Sequence, residues 1–348
     1  MNEFKIGDKT IGLGQPIFIA AEVGTTCNGD AKTAKKLIDA AKRAGMDAVK
    51  FQIIDPEDMI ADKSITYTYK RYSGEVVTEK LYDMFQRYVM TPKQWAEIAA
   101  YAKKRGIIMF ATPDSDAGIA LMESLNMPAY KVSTWDCNFY PFLRKIARIG
   151  KPVIIDLGAS ELDEISRVVN AFKKEKNEDL ILLHCFHTQR FEEMNLRTIE
   201  YLRDTLGYFS GFSAPDTNNA LDYATLAYEP VYIEKRLTLD RKDPNHHHLH
   251  ALEPDEMKAY VRTIRELERS LGSHANVPTS ADRKMRQQYF RSIVAKRAIK
   301  KGETLTQKNI ACRRPFIGGV DPMYLDAFIG RKATKDLKEN QQITWDCV

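Results

Sequence analysis

The sequence predicts an α/β chain, a (β/α)₈ barrel followed by a small, mostly-β unit, and three observations predict it. Eight short β-type runs alternate with amphipathic helical stretches over residues 1–272. The runs are near-continuously apolar, as parallel strands covered on both faces must be. No G-x-G-x-x-G turn follows the first run, which weighs against an open doubly wound sheet, the competing architecture. With 348 residues, 44% of them hydrophobic and 28% charged, the chain can bury a full core.

The runs in order are IFIAAE to Glu22, AVKFQ to Gln52, IIMFAT to Thr112, AYKVST to Thr134, PVIIDL to Leu157, LILLHC to Cys185, YFSGFS to Ser213 and VYIEKR to Arg236. Between them AKTAKKLIDAAKRAG, PKQWAEIAAYAKKRG and DAGIALMESLN carry apolar residues at three- and four-residue spacing and close on Gly or Asn, the pattern of capped surface helices. An insertion from Ile53 to Met90, rich in Tyr, Asp and Lys, is expected to form a lid or a partner-contacting loop. After the last barrel helix, EPDEMKAYVRTIRELERSLG, the small polar stretch 273–286 reads as a linker. Residues 287–348 then read as short strands and turns, too few for a robust core of their own.

Composition excludes several classes. No apolar run approaches the roughly 18 residues that span a bilayer, and MNEFKIGDKT lacks the order of a signal peptide, so a cytoplasmic protein with no membrane partner is expected. Five scattered cysteines without a C-x-x-C pair indicate reduced thiols. The net charge of +5 comes from Lys and Arg mixed with Asp and Glu, a solvated surface rather than a nucleic-acid footprint.

The C-terminal ends of the strands build the active site in a barrel of this kind, so charges there carry functional weight. Glu234 and Arg236 share one face of the eighth run, directed either inward at the barrel mouth or outward under a helix, Lys50 and Gln52 repeat the arrangement on the second, and Lys131 interrupts the fourth. Each alone reads equally well as a buried ion pair or a snorkelling side chain. Together, with the hydroxyls of Thr112, Thr134 and Ser213, they suit a small anionic substrate bearing phosphate or carboxylate.

The segments FIAAEVGTTCNGD, AGMDAVKFQ, ATP at Ala111 to Pro113, PAYKVST, GKPVII, LLHC, MNLRTI, IEKRLTLDR, ALEPDEM and RSIVAKRAIKKGETLT through RRP follow one another in an order that resembles the sialic-acid synthases, or N-acetylneuraminate synthases. That family condenses phosphoenolpyruvate with an aldose on a TIM barrel and carries a C-terminal antifreeze-like (SAF) domain. The resemblance implies that Lys50, Gln52, Thr112 and Lys131 bind phosphoenolpyruvate, with Thr134 and Ser213 assisting. It implies acidic roles at the reacting centre for Glu22, Asp136 and Glu234, a sugar-contacting loop at His246 to His248, and a domain-swapped homodimer in which Arg314 reaches the partner's sugar site. The family uses a divalent metal.

The departures bear on that last point. Thr26 and Cys27 stand where Asn-His is usual, Ala214 and Pro215 replace an acidic residue and a metal-binding histidine, and Arg236 occupies the second ligand position. No metal site is therefore expected in this chain, and Arg236 is expected to act in the metal's place. Asp156 stands where a serine near the phosphate is usual; it would repel phosphate unless a cation intervened, and Arg236 is the expected cation. In the histidine loop, His247 and His248 are expected sugar contacts; a solvent-exposed polar loop is the plainer alternative. Three readings follow: a condensing synthase with Glu22 or Glu234 as its base, a Schiff-base aldolase using Lys131 or Lys50, and a homologue that binds ligand or partner without turnover.

Overall fold

The computed structural model describes residues 1–348 except 189, 214–216 and 274, and the chain forms two compact units, Met1–Gly272 and Ser273–Val348. In the first, eight parallel strands close a barrel: β1 (Phe18–Glu22), β2 (Ala48–Ile53), β3 (Ile108–Pro113), β4 (Tyr130–Val132), β5 (Val153–Asp156), β6 (Leu180–Cys185), β7 (Phe209–Ser213) and β8 (Tyr232–Arg236). Neighbours follow chain order, and the ring closes where β8 pairs with β1, Arg236 opposite Glu22.

Strand alternation sorts the side chains. Phe18 and Ala20 of β1, Ala48 of β2, Phe110 of β3, Ile154 of β5, Ile181 and Leu183 of β6, Phe209 of β7 and Tyr232 of β8 fill the barrel interior. Ile19, Ala21, Val49, Phe51, Ile155, Leu182, Phe212 and Ile233 pack outward beneath the helices. One further step of two along the inward set reaches Glu22, Lys50, Asp156 and Glu234, and Lys131 follows Ala129 in the same way. The charges at the strand ends thus face the mouth because the apolar period places them there.

The helices obey their local signals. Asp30 accepts from the Thr33 N–H to open Ala31–Ala44, and Gly45 closes it in the left-handed conformation at φ 85°. The fourth strand stops at Val132 rather than Thr134, because the Ser133 side chain accepts from the Trp135 N–H and turns the chain into a 3₁₀ segment over Thr134–Asp136. An N-terminal hairpin, Phe4–Ile6 with Lys9–Ile11, is absent from the sequence reading; it places Ile6 and Ile11 in the interior cluster. Its strands of 3 residues are too short to register as a period.

The insertion 53–90 is structured. It holds a short helix Pro56–Met59, an antiparallel hairpin Thr66–Lys70 with Val76–Lys80, and a helix Leu81–Gln86. Arg71 Nε donates to the Pro244 carbonyl at 2.9 Å, which ties the hairpin to the histidine loop.

Lys235, between Glu234 and Arg236, points out of the barrel. Its Nζ lies 2.8 Å from Asp222 Oδ2, both side chains are inaccessible to solvent, and Tyr260 donates to Asp222 Oδ1 at 2.7 Å. The VYIEKR run therefore ends in three charges because two serve the mouth and one serves the layer under the helices.

In the second unit, Ser292–Ala295 and Ile310–Arg313 pair antiparallel over a core of Ile293, Ile299, Leu305, Ile310, Phe328, Leu337 and Ile343. The stretch read as a linker, 273–286, turns helical at Ser280–Tyr289, where Thr279 and Asp282 form a reciprocal capping box. The five cysteines are free thiols, and no helix among the described residues is long and apolar enough to cross a membrane.

Breaking the buried Lys235 pair tests its role. Asp222→Ala leaves Lys235 uncompensated beneath the helices and is expected to lower unfolding stability by about 3 to 5 kcal/mol. Urea denaturation followed by circular dichroism checks this, and a loss well under 1 kcal/mol would contradict it.

Candidate functional site

Five ionisable side chains from five strands meet inside the mouth and form a chain of alternating sign. Asp156 Oδ2 lies 2.9 Å from Lys131 Nζ, Lys131 Nζ 3.0 Å from Glu234 Oε2, and Glu234 Oε1 2.9 Å from Lys50 Nζ, which also pairs with Glu22. Tyr232 donates its hydroxyl to Glu234 Oε2 at 2.8 Å, and the Gly24 N–H donates to Glu22 Oε1 at 2.7 Å. Gly24 permits this geometry: a Cβ there would stand 2.6 Å from Gln52 Cγ and 2.8 Å from its backbone nitrogen.

The electrostatics follow the pairing. Burial alone would lower the Lys131 pKa, but Asp156 and Glu234 outweigh it and hold the ammonium above its usual range. Burial pushes Glu234 upward, yet Lys131 and Lys50 together hold its carboxyl well below the usual range. Asp156 goes the other way: burial raises it more than Lys131 lowers it. One of its oxygens, Oδ1, is buried with no hydrogen-bond partner. Around the rim, burial pushes Asp136 up to about 6, and it raises Asp114 well above the usual carboxylate range with help from Asp136.

The structure brings Glu22, Lys50, Lys131 and Glu234 into direct contact. Gln52 and Thr112 are opposite one another in the β2–β3 register, and Ser213 is opposite Glu234 in the β7–β8 register. The Thr134 hydroxyl accepts from the Ala159 N–H at 3.0 Å. Two expectations need correction. The cation paired with Asp156 is Lys131, on the neighbouring strand β4. Arg236 instead lies toward the histidine loop, where its charge, after burial, depresses the pKa values of His246 and His247. His248 is buried, with Nδ1 2.7 Å from the Thr238 hydroxyl and Nε2 3.1 Å from Asn28 Oδ1, so its ring braces the loop and is closed to a sugar.

His247 adopts a left-handed backbone at φ 75°, uncommon for a residue with a Cβ, and its Nδ1 lies 3.0 Å from the Thr25 hydroxyl. His246 sits edge-on to Tyr67 and Tyr69 of the insertion, at ring-centroid distances of 5.0 and 5.3 Å. Arg314 belongs to the second unit, where its Nε donates to the Tyr289 carbonyl at 2.6 Å. Ala214 and Pro215 lie outside the described residues. Sequence reasoning missed Tyr232, although it stands two residues before Glu234 on the same face, and it missed Thr25 and Asp114, for which no local signal exists.

A divalent ion does not fit the described donor set. Arg236 has no lone pair to offer a metal, and its fixed charge opposes a cation at its position.

Fold and mouth together define a (β/α)₈ barrel with a buried, lysine-centred ionic site and an appended small β unit. Residues 37–276 match the NeuB family and residues 290–348 match the SAF domain. The chain belongs to the NeuB family. It is 35% identical to an uncharacterised protein of Methanocaldococcus jannaschii, over 99% of this chain and 98% of that one. It is 31% identical to the N,N'-diacetyllegionaminic acid synthase of Campylobacter jejuni, over 93% of this chain and 98% of that enzyme. Among solved structures, the N-acetylneuraminic acid synthetase of Leptospira borgpetersenii superposes with a TM-score of 0.72 at 24% identity, covering 82% of this chain and 95% of that one.

The histidine loop makes the barrel unit acid-sensitive. Burial, then the charge of Arg236, lowers His246 from 6.5 to about 3. The unfolded chain therefore binds a proton that the folded one refuses, so stability is full above about pH 6.5 and falls as pH drops toward 3. At pH 5 the loss from this residue is about 2 kcal/mol. Urea unfolding of His246→Phe at pH 7 and pH 5 should show a correspondingly smaller acid loss, and an unchanged loss would exclude His246 as a source.

Proposed function

We propose that the barrel mouth binds phosphoenolpyruvate and joins it to an aldose, N-acetylmannosamine-like or altered, to yield a nonulosonic or related 3-deoxy-2-keto acid and inorganic phosphate. The observation that carries this reading is the convergence of Lys50 and Lys131 on one carboxylate, at 2.9 and 3.0 Å from the two oxygens of Glu234. Two buried ammoniums this close would grip a substrate anion once a resident carboxylate gives up its charge. Gln52, Thr112, Thr134 and Ser213 would supply neutral donors to it.

In the reaction C3 of the enol phosphate adds to the aldehyde carbon, water adds to C2, and the C2–O bond to phosphate breaks to leave the ketone. Asp136, pushed up to about 6, is the carboxyl suited to exchange protons near neutral pH. Glu22 and Glu234, tied to the lysines, hold those cations in place. Arg236 donates to the aldehyde oxygen as negative charge develops there, and His247 contacts the sugar. An imine mechanism is disfavoured because it needs a neutral amine, whereas Lys131 is held protonated by two carboxylates.

The test is phosphate release and product mass from phosphoenolpyruvate with a panel of aldoses, with and without a strong chelator. Turnover that survives the chelator is expected. Loss on chelation with rescue by manganese would overturn the role of Arg236, and no release with any aldose would favour the binding-only homologue. Lys131→Ala should weaken phosphoenolpyruvate binding by about tenfold or more, the worth of one charge-assisted contact. Unchanged affinity by calorimetry would exclude the site.

The reading extends to a domain-swapped homodimer in which Arg314 completes the partner's site. Arg314→Ala and Lys131→Ala chains, each impaired alone, should regain activity when mixed, since one site of the mixed dimer is intact. A fully active monomer at micromolar concentration would refute the arrangement.

A further inference from the structure

We propose that Asp156 takes up a proton when the substrate phosphate binds, so that it meets the phosphate as a neutral hydrogen-bond donor. This rests on the phosphoenolpyruvate reading above. The five-residue chain holds three carboxylates and two ammoniums, so it leaves no uncommitted lysine charge for an incoming anion. Glu234 cannot yield its place, because Lys50, Lys131 and Tyr232 all hold it. Asp156 can: it has one lysine contact, at 2.9 Å, and its second oxygen is buried without a hydrogen-bond partner.

A phosphate that reaches Lys131 must therefore stand beside Asp156. An ionised carboxylate there would repel it in a poorly screened pocket. A protonated one would donate an O–H to a phosphate oxygen and free Lys131 to do the same, which is the work of a hydroxyl at that position. Burial already favours the neutral form of Asp156.

The groups that face Asp156 are Lys131 on β4, Glu234 and Tyr232 on β8, Lys50 on β2, and Cys185 and His187 at the end of β6. The Cys137 thiol, beyond β4, donates to its backbone carbonyl at 3.1 Å. Of these, His187 lies below its ordinary value of 6.5 through burial, so measurements above that pH leave it neutral throughout. The substrate phosphate has its own ionisation near 6. Its contribution is common to all variants and cancels in a comparison.

The experiment is calorimetric titration of the full chain with phosphoenolpyruvate between pH 6.5 and 8.5, in buffers of different ionisation heat, for wild type, Asp156→Asn and Asp156→Ser. Both substitutions keep a neutral donor and leave Lys131 paired with Glu234. Wild type should take up close to one proton more than either variant, and its Kd should rise about tenfold more per pH unit. Equal uptake and parallel pH profiles would overturn the proposal while leaving the phosphoenolpyruvate site standing. Binding by the variants but not by wild type at pH 6.5 would overturn it too. Absence of binding by all three at every pH would remove the phosphoenolpyruvate reading, and this inference with it. Proton uptake by wild type is measured without any variant, so a substitution that fails to fold still leaves a deciding number: no uptake beyond that of the ligand phosphate refutes it.

Discussion

Glu234 is the residue around which the mouth is organised. Its two oxygens accept from Lys131, Lys50 and Tyr232, so one carboxylate on the last strand ties together the second, the fourth and its own. A wholly buried lysine such as Lys131 would ordinarily lose its proton or stay out of the core. Here it stays charged because β4 and β8 approach the barrel axis from opposite sides, and the closed ring brings one carboxylate from the neighbouring β5 and one from β8 within hydrogen-bond range. Barrel closure and the ionic chain are therefore mutually dependent: without closure the lysines lack partners, and without the carboxylates the interior could not hold them.

The same dependence explains the two populations of charge on β8. Glu234 and Arg236 face inward, and Lys235 pairs with Asp222 beneath the helices. Ion pairs on both faces of one strand pin its rotation, since a slip by one residue would drive each charge into the wrong layer. Arg236 then stands opposite Glu22 in register but directs its charge toward the histidine loop, which the insertion hairpin holds from above through Arg71, Tyr67 and Tyr69. The mouth thus has a rigid ionic floor and a wall made of a braced loop, with His247 strained between them at φ 75°.

Asp156 is where the mouth departs from what the resemblance implies. Where the resemblance implies a neutral hydroxyl, this protein has an acid whose charge is matched by Lys131 and whose burial opposes its ionisation. Arg236, standing at a position that the resemblance assigns to a metal ligand, adds fixed positive charge on the other side of the site. The two departures have opposite signs, and together they redistribute charge across the mouth.

The sequence by itself determined the barrel, its eight strands, the helix caps and the shared strand faces of Glu234 with Arg236 and of Lys50 with Gln52. These follow from periods of two and of three to four residues, which are local. It also marked position 156 as unusual. Only the tertiary structure decided which charges meet: Lys131 and Glu234 are 103 residues apart, and nothing near either one names the other. The partner of Asp156, the bracing of His248 and the edge-on packing of His246 against the insertion were illegible for the same reason. A side chain's face is set by its own strand, whereas its partner is set by strand order and barrel closure, which the whole chain must fold to define.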